Sequence, residues 1–166
     1  TSQRELLTSI GAIPFDYLVL AMGATTNYYN NANIEKYSLP MKSVSEALQI
    51  RNLILQHYEN AMNTNDDALA IAYMNIVIVG GGPTGVELVG AIAEMKKYVL
   101  PKDYPELDFA SMKIILCEGS NRLLSAMSEK SSAKALKYLH NLEVDVRLNC
   151  QASDFNGEMV TLSNGD

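Results

Sequence analysis

The sharpest chemical pattern in this sequence is Gly80-Gly81-Gly82-Pro83-Thr84-Gly85, which spells G-x-G-x-x-G. Such a run does chemistry only when a strand leads into it and a helix leads out. The residues before it, Asn75 to Val79, read NIVIV, a compact buried strand, and those from Thr84 to about Tyr98 have an apolar helical period. In that setting Gly80 turns the chain sharply out of the strand. Gly82 lacks the Cβ that would hold a pyrophosphate away from the backbone, and Gly85 lets the helix pack close to the strand. The first N–H groups of the helix have no partner inside it and, with the positive end of the dipole, favour an anion. Pro83 removes one donor at a position where helix starts tolerate proline. The implied chemistry is binding of a dinucleotide by its phosphates, with NAD(H) the best match. A glycine-rich structural turn is the plainer alternative.

The same logic asks for an acidic residue at the end of the second strand, where it would meet the adenosine ribose hydroxyls. Glu118 stands there, directly after Lys113 to Cys117 (KIILC). It lies further along than the ~20 residues of the simplest unit, and an insertion from Leu100 to Asp108 accounts for the excess. The alternative is a solvated strand-end carboxylate. No Arg follows Glu118 immediately to take a 2′-phosphate, although Arg122 is close, so NAD is favoured over NADP. Glu87 is placed on the first turn of the glycine-led helix, where spacing alone assigns it to dipole compensation. His57 and His140 stand on helices without a partner at a suggestive spacing. No catalytic residue and no metal-ligand cluster emerges.

The elements around these residues alternate between strand and helix, which implies a parallel sheet covered by helices. Phe15 to Ala21 (FDYLVLA), bounded by Pro14 and Gly23, has the pattern of a strand buried on both faces. Asn27 to Asn33 reads as a surface loop. Ser43-Val44-Ser45-Glu46 has the form of a capping box opening a helix to about Ala61. Asn63 to Asp67 is a polar break, read as the junction between two structural units. In the glycine-led helix Val86, Val89 and Ala93 share one face while Leu88, Ile92 and Met95 lie on another, as suits a helix between two layers. Glu129 to His140 is a helix, Val144 to Leu148 a third strand. Asn149 to Phe155 and Glu158 to Leu162, joined by Asn156-Gly157, form a hairpin. The fold class is α/β: a Rossmann-like parallel sheet, helices on its faces, and a β-hairpin near the C-terminus.

Composition agrees with a folded domain, at 48% apolar and 19% charged. A net charge of −6 argues against a nucleic-acid surface. No apolar run approaches a membrane span, and the first residues lack the basic-then-apolar pattern of a secretory signal. Cys117 and Cys150 form no CxxC pair and read as small buried hydrophobes, which fits a reducing, cytoplasmic setting.

The run IVIVGGGPTGVELVGAIAEM, followed by KKYVLPKDYPELDFASMKIILCEGSNRLL, resembles type II NADH:quinone oxidoreductases, flavoproteins of the FAD/NAD-linked pyridine nucleotide-disulfide oxidoreductase superfamily. FDYLVLAMGATTNYY resembles that family's strand leaving the FAD domain, and LPMKSVSEALQIRNLIL its link into the NAD domain. The resemblance covers almost the whole chain. It implies that NADH binds here and passes hydride to FAD, which reduces a quinone in respiratory electron transfer. Carried over by residue, Gly80 to Gly85 (with Gly81, Pro83 and Thr84) hold the pyrophosphate and Glu118 the ribose. Glu87 lies near the nicotinamide and flavin, and Gly23 belongs to a turn lining the FAD side. That turn reads Ala21-Met22-Gly23, so a Met replaces the family's usual Thr.

The resemblance also divides the chain. Residues 1–41 correspond to a remnant of the FAD-binding domain and linker, and 42–166 to the NAD(H)-binding domain without its last strand. The ends, Thr1 and Ser163-Asn164-Gly165-Asp166, suggest a piece of a larger protein, which the resemblance places peripherally on the inner face of the cell membrane. With the FAD domain missing, the chain alone is expected to hold no FAD and to be inactive. Alternatives are the NAD domain of a disulfide, ferredoxin or sulfide reductase, or a non-catalytic NAD-binding module. A final expectation follows from two orphans: Tyr17–Ala21 without its own sheet, and Ile76–Val79 with an open edge. They are expected to pair in parallel, within one chain or by exchange between two.

Overall fold

The computed structural model describes residues 4–165. Its first elements pair locally: β1 (Glu5–Thr8) and β2 (Gly11–Pro14) form an antiparallel hairpin. Gly11 adopts φ +123° at the turn. The ladder closes with Phe15 N–H donating to Arg4 O at 3.0 Å, and Arg4 Nη1 to Asp16 O at 2.9 Å. Beyond it the chain runs without secondary structure to the turn at Tyr29 and Asn30. Asn31 then caps α1 (Ala32–Tyr37) through its side chain.

The capping box forms as the sequence requires. The Ser43 hydroxyl accepts from Glu46 N–H and the Glu46 carboxylate accepts from Ser43 N–H, opening α2 (Val44–Met62). The polar break after α2 is a turn, not a junction between units. Asp66 caps a further helix, α3 (Asp67–Met74), which folds back onto α2. Sequence periodicity missed α3 because DALAIAYM is apolar on nearly every side and so carries no helical period.

A three-stranded parallel sheet follows, in the order β3-β4-β5: β3 (Ile76–Val79), β4 (Ile114–Glu118) and β5 (Asp145–Leu148). Its register sets Ile78 against Leu116 and Leu116 against Val146. Between β3 and β4 lie α4 (Pro83–Tyr98), the short α5 (Leu100–Asp103) and a loop. Between β4 and β5 lies α6 (Glu129–Asn141). The hairpin of β6 (Ala152–Phe155) and β7 (Val160–Leu162) ends the described chain.

The core lies between the sheet and its helices. Ile78, Ile114 and Leu116 meet Val89, Ile92 and Leu139 there, and all six are buried. Val77, Ile115 and Cys117 face the other way, against Cys150, Val160 and Leu162. The 100–112 insertion is structural as well. Its Tyr104 and Phe109 pack edge-on against the fully buried Tyr58 of α2, each with ring centroids 5.6 Å apart. Burial, first, and then the neighbouring Tyr104 push the Tyr58 phenol up to about 12. On the hairpin side, Asn31 Nδ2 donates to Ser153 O at 2.8 Å and Tyr37 packs on Phe155, so α1 sits on β6.

Within one chain, the pairing expected for Phe15–Ala21 does not form. These residues form no strand and make no pairing with β3, which bonds to β4 alone among the described strands. Tyr17, Val19 and Leu20 are 92%, 83% and 72% exposed. The physical reason lies in loop closure. Pairing Tyr17–Ala21 with β3 closes a long loop, whereas the β1–β2 hairpin closes over two residues and secures the chain just ahead of the segment. The other half of the expectation stands: β3 is an edge strand among the described residues.

Candidate functional site

The glycine turn begins where β3 ends. Gly80 sits at φ +108°, a conformation that side chains rarely adopt, and its N–H donates to Cys117 O at 2.8 Å. The next constraint is contact. A Cβ built on Gly85 falls 1.9 Å from Gly80 O, so the first turn of α4 and the strand end meet at a distance only glycine permits. One on Gly81 meets Leu123 Cδ2 at 2.6 Å and Glu118 Cβ at 3.0 Å. Gly82 differs: nothing lies within 4 Å of its built Cβ. It is the N-cap of α4 without a side-chain cap, and Pro83 follows at the helix start. Gly82, Pro83 and Thr84 are exposed, so the positive end of the helix is open to solvent.

The carboxylate closes the other side. Glu118 Oε2 accepts from Gly81 N–H at 2.6 Å. Its Oε1 accepts from Ser120 N–H at 2.7 Å and from the Ser120 hydroxyl at 2.6 Å. Partial burial by itself raises the carboxyl's affinity for a proton. The bonds from the Ser120 hydroxyl, Ser120 N–H and Gly81 N–H outweigh it and hold the group below the ordinary glutamate range. Glu118 is therefore a fixed anion. The loop after it is braced in turn: Leu124 N–H donates to Gly81 O at 2.8 Å, and Arg122 Nη2 to Ser125 O at 2.6 Å.

The structure thus brings Gly80 to Gly85 and Glu118 into one cluster. Glu87 shares their helix but stands exposed beyond the first turn, which contains no acidic residue. That corrects its placement by sequence and removes it from the strongest part of the dipole. Gly23, at φ +73°, is exposed with nothing within 4 Å of its built Cβ, and it joins none of these contacts. Cys117 and Cys150 are buried and free, as read, and burial pushes the Cys117 thiol up to about 11. His57 stacks beside Tyr73, with centroids 5.6 Å apart. Among the described residues, no His, Cys, Asp or Glu group has the arrangement of a metal site, and no helix is long and apolar enough to cross a membrane.

Ser120, Leu123 and Leu124 were not singled out by sequence. The only signal was their closeness to Glu118. A surface depression of about 290 Å³ adjoins this loop, between Arg122, Leu123, Leu148 and α6. A larger one, about 470 Å³, runs along α2 from Ser45 to Gln56 and touches no candidate residue.

The profile of the pyridine nucleotide-disulphide oxidoreductases matches residues 3–166. The chain belongs to this family. Within it, the chain is 30% identical to the type II NADH:quinone oxidoreductase Ndh of Mycobacterium tuberculosis over 98% of its own length and 35% of that protein's. It is 28% identical to the type II NADH:quinone oxidoreductase of Haemophilus influenzae, over 92% of this chain and 37% of the relative. It therefore spans little more than a third of these relatives. The NDH2 of Plasmodium falciparum, solved in complex with NADH, superposes with a TM-score of 0.81 at 27% identity, over 95% of this chain and 33% of that one. A putidaredoxin reductase–putidaredoxin complex shares the fold, with a TM-score of 0.59 at 20% identity over 99% of this chain and 35% of that one. The family resemblance read from the sequence and the α/β fold class are both borne out.

Proposed function

We propose that this chain is the NAD(H)-binding part of a flavin-dependent NADH dehydrogenase. The observation that carries the reading is the Glu118 carboxylate fixed 2.6 Å from Gly81 N–H, beside a helix start whose Gly82 flank is open. An anion-binding helix end and an immobile carboxylate one hydrogen bond apart suit the two ends of an adenosine diphosphate group. Gly80, Gly81 and Gly85 shape the turn, while Gly82, Pro83 and Thr84 form its phosphate-facing rim. Glu118 accepts from the ribose hydroxyls. Glu87, further along α4, faces the nicotinamide end, and Gly23 belongs to the FAD side of the whole protein.

In that whole protein FAD supplies the hydride acceptor and hands electrons on to a quinone. This chain's residues bind NADH, orient it and exclude its 2′-phosphorylated counterpart. The division into residues 1–41 and 42–166 follows from the same reading, as does peripheral attachment to the inner face of the cell membrane. The likeness to NADH:quinone oxidoreductases in sequence and to the NADH-bound NDH2 in structure supports it. Among the described residues one strand–glycine turn–helix unit is present, and it serves NAD(H), so the chain alone is expected to be colourless.

The test is a titration of NADH and NADPH into the chain and into Glu118→Ala. NADH should bind more tightly than NADPH, and the substitution should narrow the gap. Equal affinities in the unmutated chain would overturn the reading.

A further inference from the structure

We propose that Ser120 is a positioning residue that sets the preference for NADH over NADPH, by fixing Oε1 of the Glu118 carboxylate that Gly81 N–H holds against the glycine turn. The proposal rests on the assignment of Glu118 to the adenosine ribose. A glutamate side chain at a strand end has three soft torsions and ordinarily moves. Here it is tied at both oxygens. Gly81 N–H holds Oε2, while the N–H and hydroxyl of Ser120 converge on Oε1. An ionised carboxylate has about four acceptor positions, so three donors leave room for a ribose hydroxyl but little freedom to rotate.

Selectivity follows from that immobility. A 2′-phosphate carries up to two negative charges. Set against a mobile glutamate it would push the side chain into solvent at small cost. Against a tethered one the repulsion stays. Arg122 is the cation nearest in sequence that could offset it, and its guanidinium is occupied by Ser125 O at 2.6 Å and Met127 O at 3.3 Å. The Ser120 hydroxyl also lies 2.9 Å from Arg122 O, but its single proton serves Glu118 Oε1 at 2.6 Å, so it braces the carboxylate and not the arginine.

The backbone of Ser120 is held independently. Asn149 N–H donates to Ser120 O at 2.9 Å, and Cys150 N–H to Glu118 O at 3.0 Å. Removing the hydroxyl therefore takes one of three donors from the carboxylate and loosens Oε1, without unfolding the loop. This predicts unequal changes for the two ligands, which general damage to the site cannot imitate.

The experiment compares the unmutated chain with Ser120→Ala and Ser120→Thr, titrating NADH and NADPH into each. Ser120→Ala should shrink the ratio of NADH to NADPH affinity about 3–10-fold, the size of one ordinary hydrogen bond, since two other donors still hold the carboxylate. NADPH affinity should hold or rise while NADH affinity falls. Ser120→Thr, which keeps the hydroxyl, should restore the ratio. An unchanged ratio in Ser120→Ala, or equal weakening of both ligands, overturns the role of Ser120 and leaves that of Glu118 intact. Equal affinities in the unmutated chain sink the Glu118 assignment, and this inference with it.

Discussion

Two short apolar runs meet opposite fates in this molecule. NIVIV becomes β3, bonded to β4 and packed on both faces. Tyr17–Ala21, YLVLA, lies extended and unpaired, with Leu20 72% exposed. Hydrophobicity does not separate them, and β-branching, four residues in IVIV against Val19 alone in YLVLA, favours the first only in part. Connection separates them. Crossover helix α4 returns the chain beside β3, so its partner strand arrives with a covering layer. The segment after β2 has a completed hairpin behind it and a loop ahead, and among the described residues no second strand lies beside it. A strand is a property of a pair.

The largest effect should come from truncating the same residue type in both regions. Leu116→Ala, at a position with 0% exposure, should cost about 3–5 kcal/mol. Leu20→Ala should stay within about 0.5 kcal/mol. Urea unfolding of both variants measures this, and comparable losses would mean that Tyr17–Ala21 is packed in solution.

Glycines sharpen the contrast. Gly85→Ala forces a methyl to 1.9 Å from Gly80 O and should destabilise by about 3 kcal/mol. Gly23→Ala meets open space and should cost only the strain of its positive φ, about 1 kcal/mol. Thermal melts of the pair would show the order; a harmless Gly85→Ala would break the account of the turn.

The smallest effect concerns pH. The folded-state pKa of Glu118 lies below its ordinary value of ~4.3, so its carboxylate contributes stability above that value. This contribution is lost as pH falls through the folded value. The site is open to solvent, so less than about 1 kcal/mol is expected. Glu118→Gln should flatten the acid limb of stability slightly, and an identical limb in both proteins would show that the tether adds no stability.

Much of this was legible from residues alone, because the signals were local. The capping box at Ser43 and Glu46, the strand NIVIV, the glycine turn and the acid after KIILC each state their own geometry within a few positions. Gly80 and Gly85 were readable because only glycine tolerates that φ and that approach to a carbonyl. The family followed from the same runs. Tertiary structure decided what depends on distant partners. It left Tyr17–Ala21 without a strand, folded α3 onto α2 and drew Tyr104 and Phe109 onto Tyr58. It also bound Glu118 to Gly81 and Ser120, which no spacing rule contains. A local pattern fixes the conformation a residue prefers, but pairing and burial depend on which other segments the chain brings to it.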